Sequence, residues 1–447
     1  MAAELEGASL GLAWAAPFCG ILLSIALLPL LVPHFWERHQ GKIAGLWALL
    51  ALLPIAAFQG TKIAAAVFLA TLVQDYFPFI VLLFALFTVA GGVAIRGNLH
   101  GSPGVNLLLL AIGTALASVI GTTGASMVMI RPLLRANDDR RRNSHVVVFF
   151  IFLVANIGGS LTPLGDPPLF LGFLHGVDFF WTTTHLLPET LFLSLVLLAI
   201  FFVLDSFIYR RDRAKAGNPT PDSPVQLAGA VNLLLIGVIV AAILMSGSLR
   251  LGGVSLWGIE IAFADLARDL ILLGVAGASL ALTPKSLRQE NGFSWAPIKE
   301  VAKLFAGIFA TIIPVLAMLR AGGEGAFAPL VTLVTHADGS SNPAAYFWAS
   351  GGLSSFLDNA PTYLVFFNLA GGDAAQLMGA GALTLTAISA GAVFMGANSY
   401  IGNAPNFMVY AIARQQGVKM PNFFGYMLWS GGILLPLFVL TTLLFYV

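Results

Sequence analysis

Cysteine and charge are what this sequence has least of. A single cysteine, Cys19, in 447 residues leaves no partner for an intramolecular disulfide. It also leaves no ligand set for a cysteine-based zinc site or an iron–sulfur cluster. Charged residues make up 10% of the chain, where a soluble domain carries about 25%. Lys and Arg, 22 in all, nearly cancel 21 Asp and Glu, so bulk electrostatics offers no nucleic-acid partner. No stretch of about 50 residues, the size of a small domain, is free of a long apolar run. A soluble catalytic domain is therefore excluded. What is present instead is 58% apolar residues with 47 Gly, 23 Pro and 34 Phe. Gly and Pro are more frequent in helices that cross lipid than in soluble ones. The expectation is an all-α polytopic membrane protein whose first partner is the lipid bilayer.

Crossing the hydrocarbon core takes about 20 mostly apolar residues. Such runs occur over 8–33, 43–59, 76–96, 103–136, 145–174, 187–209, 228–247, 268–284, 300–320, 341–370, 378–413 and 422–446. The first lacks a basic leader and reads as a retained helix rather than a cleaved signal peptide. The segment 61–75 is apolar but short and reads as interfacial. Two runs, 103–136 and 341–370, are broken, at Gly121 to Gly124 and at Asp358 to Pro361.

Eighteen of the 22 basic residues gather in six loops. These hold Arg38 and Lys42; Arg96; Arg131, Arg135 and Arg140 to Arg142; Arg210, Arg211, Arg213 and Lys215; Lys285, Arg288, Lys299 and Lys303; and Arg414 and Lys419. They share one face only if 103–136 and 341–370 each enter and leave on the same side. Lys62, Arg250, Arg268 and Arg320 are left for the other face. By the positive-inside rule the six loops are cytoplasmic and both termini lie outside an inner (plasma) membrane. The layout is about ten transmembrane helices plus two re-entrant hairpins.

The polar interruptions come in pairs. Gly121-Thr122-Thr123-Gly124-Ala125-Ser126 and Gly158 to Pro168 interrupt the first half; Leu357 to Thr362 and Gly396 to Asn406 interrupt the second. A shift of 237 lays Leu164-Gly165-Asp166-Pro167-Pro168 on Ile401-Gly402-Asn403-Ala404-Pro405 without a gap. Within one residue it also lays Thr122 on Asn359 and Ser126 on Thr362. The hairpins enter from opposite faces by the charge count, which makes this an inverted repeat. The first repeat covers 1–210, with hairpin 103–136 and broken helix 145–174. A cytoplasmic linker covers 211–227. The second repeat covers 228–447, with hairpin 341–370 and broken helix 378–413. Paired, interrupted apolar segments in two halves point to the binding site of a secondary transporter.

The plainest role for Asp166, Asp358 and Asn403 is helix capping, since each stands just ahead of a proline. At membrane depth an Asp costs about 2.5–3.5 kcal/mol on insertion scales, and Ser, Thr or Asn would cap without that cost. Two retained carboxylates therefore point to proton or cation binding, with capping alongside. Asp75, Glu189 and Asp205 read as solvated or facing headgroups. The seven histidines, His145 and His175 among them, read as flanking the membrane edges. None has the spacing of metal ligands.

These motifs resemble a known family. Gly158-Gly159-x-x-Thr162-Pro163-Leu164-Gly165-x-Pro167-Pro168 is similar to the signature of the ion transporter superfamily. That group includes divalent-anion/sodium symporters, arsenite pumps and NhaD-type sodium/proton antiporters. Thr122 to Ser126 resembles its first hairpin tip, and Leu357-Asp358-Asn359-Ala360-Pro361 the Asp-Asn hairpin of the antiporter and arsenite branches. Gly165-Asp166 resembles the NhaD-like branch, whereas Pro167-Pro168-Leu169 resembles the citrate-type, carboxylate branch. The resemblance implies a scaffold, a transport unit holding both hairpins, a homodimer and elevator-like movement.

The expected function is a Na⁺(Li⁺)/H⁺ antiporter, not an enzyme, with no cofactor and a monovalent cation as partner. Asp166 and Asp358 would exchange Na⁺ against protons. Ser126, Thr162, Asn359, Thr362, Asn398, Ser399 and Asn403 would add neutral oxygens. Two added negative charges would repel a carboxylate substrate by on the order of several kcal/mol in a partly desolvated cavity. The alternative is a Na⁺-coupled di- or tricarboxylate (citrate-like) or oxyanion symporter, with substrate on the helix N-termini near Thr122, Thr123 and Asn359. A remote third reading is an intramembrane aspartyl protease with Asp166 and Asp358 as its dyad; the Pro-Ala-Leu of such enzymes is missing here.

Overall fold

Prolines and glycines set the helix ends in this chain. The computed structural model describes residues 5–212, 221, 223–256 and 258–447; Arg213 and Lys215 of the expected basic linker lie outside the described residues. Ala16–Leu31 stops at Val32, and Pro33 opens Pro33–Phe58 at the first helical position, where its missing N–H is no loss. Arg38 and Lys42, expected in a loop, therefore sit inside a helix whose polar first turns precede its apolar stretch.

The segment 61–75 is likewise not a separate interfacial piece. Thr61–Thr71, a wide π turn at Leu72–Tyr76, and Phe77–Ala90 form one continuous element. Pro78 has no N–H to donate, and its ring crowds the carbonyl four residues back. The widened turn absorbs both.

Among the described residues nine helices are long and apolar enough to cross a membrane: Leu12–Leu31, Pro33–Phe58, Thr61–Ala90, Pro103–Ile120, Ser144–Leu161, Trp181–Asp212, Val231–Ser248, Ala296–Arg320 and Phe423–Phe445. Phe263–Leu282 has the length, but Asp265, Arg268 and Asp269 stand near its start. Among the described residues, strands form two short antiparallel pairs. One joins Ala94–Asn98 to Ser223–Ala228, with Ile95 opposite Leu227. The protein is an all-α polytopic membrane protein.

The helices sort into two packed groups. In the first, Ala296–Arg320 lies along Pro33–Phe58, and Phe77–Ala90, Val231–Ser248 and Phe263–Leu282 pack on one another. In the second, Pro103–Ile120 pairs with Thr122–Ala136, Pro343–Ser354 with Ala382–Phe394, and Asn359–Leu369 with Pro167–Leu174. Ser144–Leu153 is apolar almost all round, and Val146 to Ala155 are all buried at the centre of this second group. The groups meet where Asn359–Leu369 rests on Ala296–Arg320 and Thr122–Ala136 on Phe77–Ala90.

Three polar residues are buried against expectation. Glu189 is 4% exposed and Asp205 is fully buried. Asp205 receives Arg140 at 2.5 and 3.1 Å, Asn106 Nδ2 at 3.0 Å and His145 Nε2 at 2.7 Å. His145, read as an edge residue, is 2% exposed. The reason is tertiary: the base of the first helix pair folds against Trp181–Asp212 and covers a stretch that the sequence alone would leave to water. Asp75 is partly buried beside His175.

Candidate functional site

The site begins with a sharp reversal at Gly121, whose φ of +80° is a conformation that L side chains rarely adopt. Its arms, Pro103–Ile120 and Thr122–Ala136, close into a helical hairpin at the far end. There Gly101 N–H donates to Ala136 O at 2.6 Å, and the Asn106 and Asn137 amides exchange hydrogen bonds at 2.9 and 2.7 Å. A second hairpin forms from Pro343–Ser354 and Asn359–Leu369, with Tyr346 and Phe366 in edge contact across its arms.

Each hairpin is joined by a broken helix. The first runs Ser144–Leu153, a 3₁₀ turn at Ile157–Leu161, an extended stretch, then Pro167–Leu174. The second runs Ala382–Phe394, a 3₁₀ turn at Met395–Asn398, an extended stretch, then Ala404–Gln415.

The contacts of hairpin with break recur at one spacing. Thr162 Oγ1 donates to Ser118 O, and Ser399 Oγ donates to Ser355 O. Ser118 Oγ donates to Gly158 O at 2.5 Å, and Ser355 Oγ to Met395 O at 3.2 Å. Every partner in the second set lies 237 residues after its counterpart. Glycine repeats at the same spacing: a Cβ on Gly165 would stand 2.1 Å from Gly159 O, and one on Gly402 2.3 Å from Gly396 O. Backbone cannot yield at such distances. Gly402→Ala is therefore expected to collapse the yield of monodisperse protein in size-exclusion chromatography. Gly432→Ala, where a Cβ meets nothing within 4 Å, should leave it unchanged.

The two hairpin tips meet at Asp166. Its carboxylate is 1% exposed. Oδ1 accepts from Thr122 Oγ1 at 3.0 Å, and Oδ2 accepts from Asn359 Nδ2. Thr122 and Asn359 are the first helical residues after the two tips, again 237 apart. Although Asp166 stands at the N-cap position of Pro167–Leu174, its side chain makes no capping bond. Capping does describe Asp358, whose Oδ1 accepts from Ala360 N–H at 3.1 Å, and Asn403, whose Oδ1 accepts from Asn406 N–H at 3.0 Å.

A cavity of about 80 Å³ opens beside Asp166, between the first hairpin tip and the helices Phe77–Ala90 and Ala296–Arg320. Thr122 and Thr123 line it, and Asp166 is the one charged residue in its wall among the described residues. The neighbouring seam is packed with Phe87, Met127, Ile298 and Met408.

The other expected site residues divide between the two breaks. Asn398 Nδ2 donates to Ser355 Oγ at 2.9 Å, and Asn403 Nδ2 to Asn156 Oδ1 at 2.8 Å. Thr362 Oγ1 turns back onto Asp358 O at 3.0 Å. Ser126 Oγ and Asn398 Oδ1 are buried with no hydrogen-bond partner among the described residues. Sequence reasoning missed Ser118 and Ser355, which the 237 shift pairs, and Asn156. Asn156 Nδ2 donates to Asn406 Oδ1 at 2.8 Å and so ties one break to the other. Its only signal is its place two residues before Gly158.

The arrangement holds a desolvated carboxylate between two neutral donors, with hydroxyl and amide oxygens close by. That is a donor set for a proton or a hard monovalent cation, which takes oxygen ligands. The sequence model of a family described as "Putative citrate transport" matches residues 7–446. No curated protein matches the chain.

Proposed function

The chain belongs to this citrate-transport family, and from that membership we propose a secondary active transporter that exchanges Na⁺ or Li⁺ for protons at Asp166. The observation that carries the exchange reading is the Asp166 carboxylate itself. It is buried between the tips of both hairpins, and among the described residues no cationic side chain lines its cavity. A proton and a cation compete for the same two oxygens, so loading one requires release of the other. Asp358, next in chain to Asn359, adds a second carboxylate. Thr162, Ser126, Asn398 and Ser399 supply neutral oxygens.

The hairpins are re-entrant on this reading and the halves form an inverted repeat. Half-helix ends then reach Asp166 from both faces. The second helix group moves as one body against the first in an elevator cycle, within a homodimer whose termini lie outside the inner membrane. Membership in a transport family speaks for translocation rather than intramembrane proteolysis.

The family description favours one other reading, Na⁺-coupled symport of a citrate-like carboxylate. Asp166 would then hold only the coupling cation, with the substrate on the N-terminus of Thr122–Ala136 beside Thr122 and Thr123. Proteoliposomes with a pH dye inside separate the two. Proton efflux on a Na⁺ or Li⁺ pulse with no carboxylate present is the expected result. Flux that starts only when citrate or succinate is added would replace exchange by symport.

A further inference from the structure

A cavity of about 1840 Å³ occupies the ends of Phe77–Ala90 and Ala296–Arg320 that lie away from Asp166. In its wall His175, at the end of Pro167–Leu174, faces Asp75 in the wide turn Leu72–Tyr76. His175 Nε2 stands 3.7 Å from Asp75 Oδ1, and the two side chains are 18% and 21% exposed. His175 Nδ1 lies 2.9 Å from Leu171 O. A carbonyl can only accept, so Nδ1 carries the ring hydrogen. A neutral His175 thus turns a bare nitrogen lone pair toward the Asp75 carboxylate. One added proton converts that contact into an ion pair or a hydrogen bond.

The pair bridges the two helix groups. Asp75 belongs to the first and His175 to the second. Beside it Arg320 Nε, on the first group, donates to Asn368 Oδ1 at 2.9 Å, on the second hairpin. The His175 ring also packs edge-on against Phe367 of that hairpin. Other charged groups around the cavity are Asp178, just beyond His175 in the chain, Arg268 with Asp265 and Asp269, and Glu6, Arg250, Glu260 and Glu324. Arg268 is already held by those two aspartates at 2.8 and 2.9 Å. Asp75 is left as the acid in contact with His175.

We propose that Asp75 and His175 form a second proton-binding site, a latch loaded from the large cavity. One proton held between them fastens the end of the first broken helix to the wide turn, and its loss frees the second group. Wide π turns within helices are frequent at functional sites. The proposal rests on the reading that the two groups move relative to one another.

Spin labels at Phe180→Cys and Leu251→Cys, both exposed in the cavity wall, with Cys19→Ser, would measure the gap in the whole chain without Na⁺ or Li⁺. At about pH 5.5 a single short distance is expected, and at about pH 8.5 a second, longer population. His175→Phe, which keeps a ring against Phe367, and Asp75→Ala leave nothing to share a proton and should show the longer population at both. Distances that ignore pH in the parent chain, or that still follow pH in His175→Phe, would overturn the latch. Distances that follow pH in a protein showing no cation-driven proton flux would keep the latch and sink the exchange reading.

Discussion

Asp166→Asn is expected to cut cation-driven proton flux by at least about 100-fold, which corresponds to about 2.7 kcal/mol or more on the rate-limiting step. The amide cannot exchange a proton for a cation. The amide can set its oxygen against Asn359 Nδ2 and its NH2 against the Thr122 hydroxyl, which accepts as well as donates. The melting temperature should therefore stay close to that of the parent, which separates loss of exchange from loss of fold. Asp166→Glu keeps the charge but carries the carboxylate one methylene away from its contacts with Thr122 and Asn359, and partial flux is expected. Flux in Asp166→Asn equal to wild type would remove Asp166 from the cycle.

The largest effect on stability is expected at Asp205. Its carboxylate answers Arg140, His145 and Asn106 at once, and it is fully buried. Asp205→Ala leaves the Arg140 guanidinium buried without a counter-charge, a change that costs about 3–5 kcal/mol. The readout is the melting temperature in detergent, together with the yield of folded protein. The contrast is Arg96 with Glu290, a bidentate pair whose side chains are 49% and 40% exposed. There the hydrogen bonds from Arg96 hold the Glu290 carboxyl below its usual range. Solvent screens such pairs, so Arg96→Ala should leave the melting temperature unchanged. A large loss in that variant, with none in Asp205→Ala, would reverse the order of importance argued here.

Much of this was legible in the sequence because membrane depth makes polar residues conspicuous. Thr122, Asp166 and Asn359 stand out in apolar runs, and the 237 shift already pairs Thr122 with Asn359. What the shift could not supply is direction. Asp166 and Asn403 occupy equivalent places before a proline, yet Asn403 caps its helix whereas Asp166 turns away to both hairpin tips. Only the packing of the two hairpins decides that. Asp205 and Glu189 were misjudged for a related reason. Distance from a span's end gauges exposure only for a helix alone in lipid, and Trp181–Asp212 is not alone. The wide turn at Leu72–Tyr76 was hidden too, because an apolar run interrupted by Gln74, Asp75 and Pro78 looks like two pieces until a continuous backbone joins them.

The lone charge in the wall of the small cavity also has an electrical consequence. With no guanidinium or ammonium in that wall among the described residues, Asp166 in its unloaded, ionised form is a net negative charge, and its loaded form, with proton or Na⁺, is neutral. Transmembrane voltage does work of about 2.3 kcal/mol on each elementary charge carried through 100 mV. On the exchange reading, voltage therefore bears chiefly on an unloaded Asp166 and little on its loaded forms. An inside-negative potential drives the empty carrier outward and opposes its inward return, so voltage acts on the empty step and hardly on the exchange of one load for another.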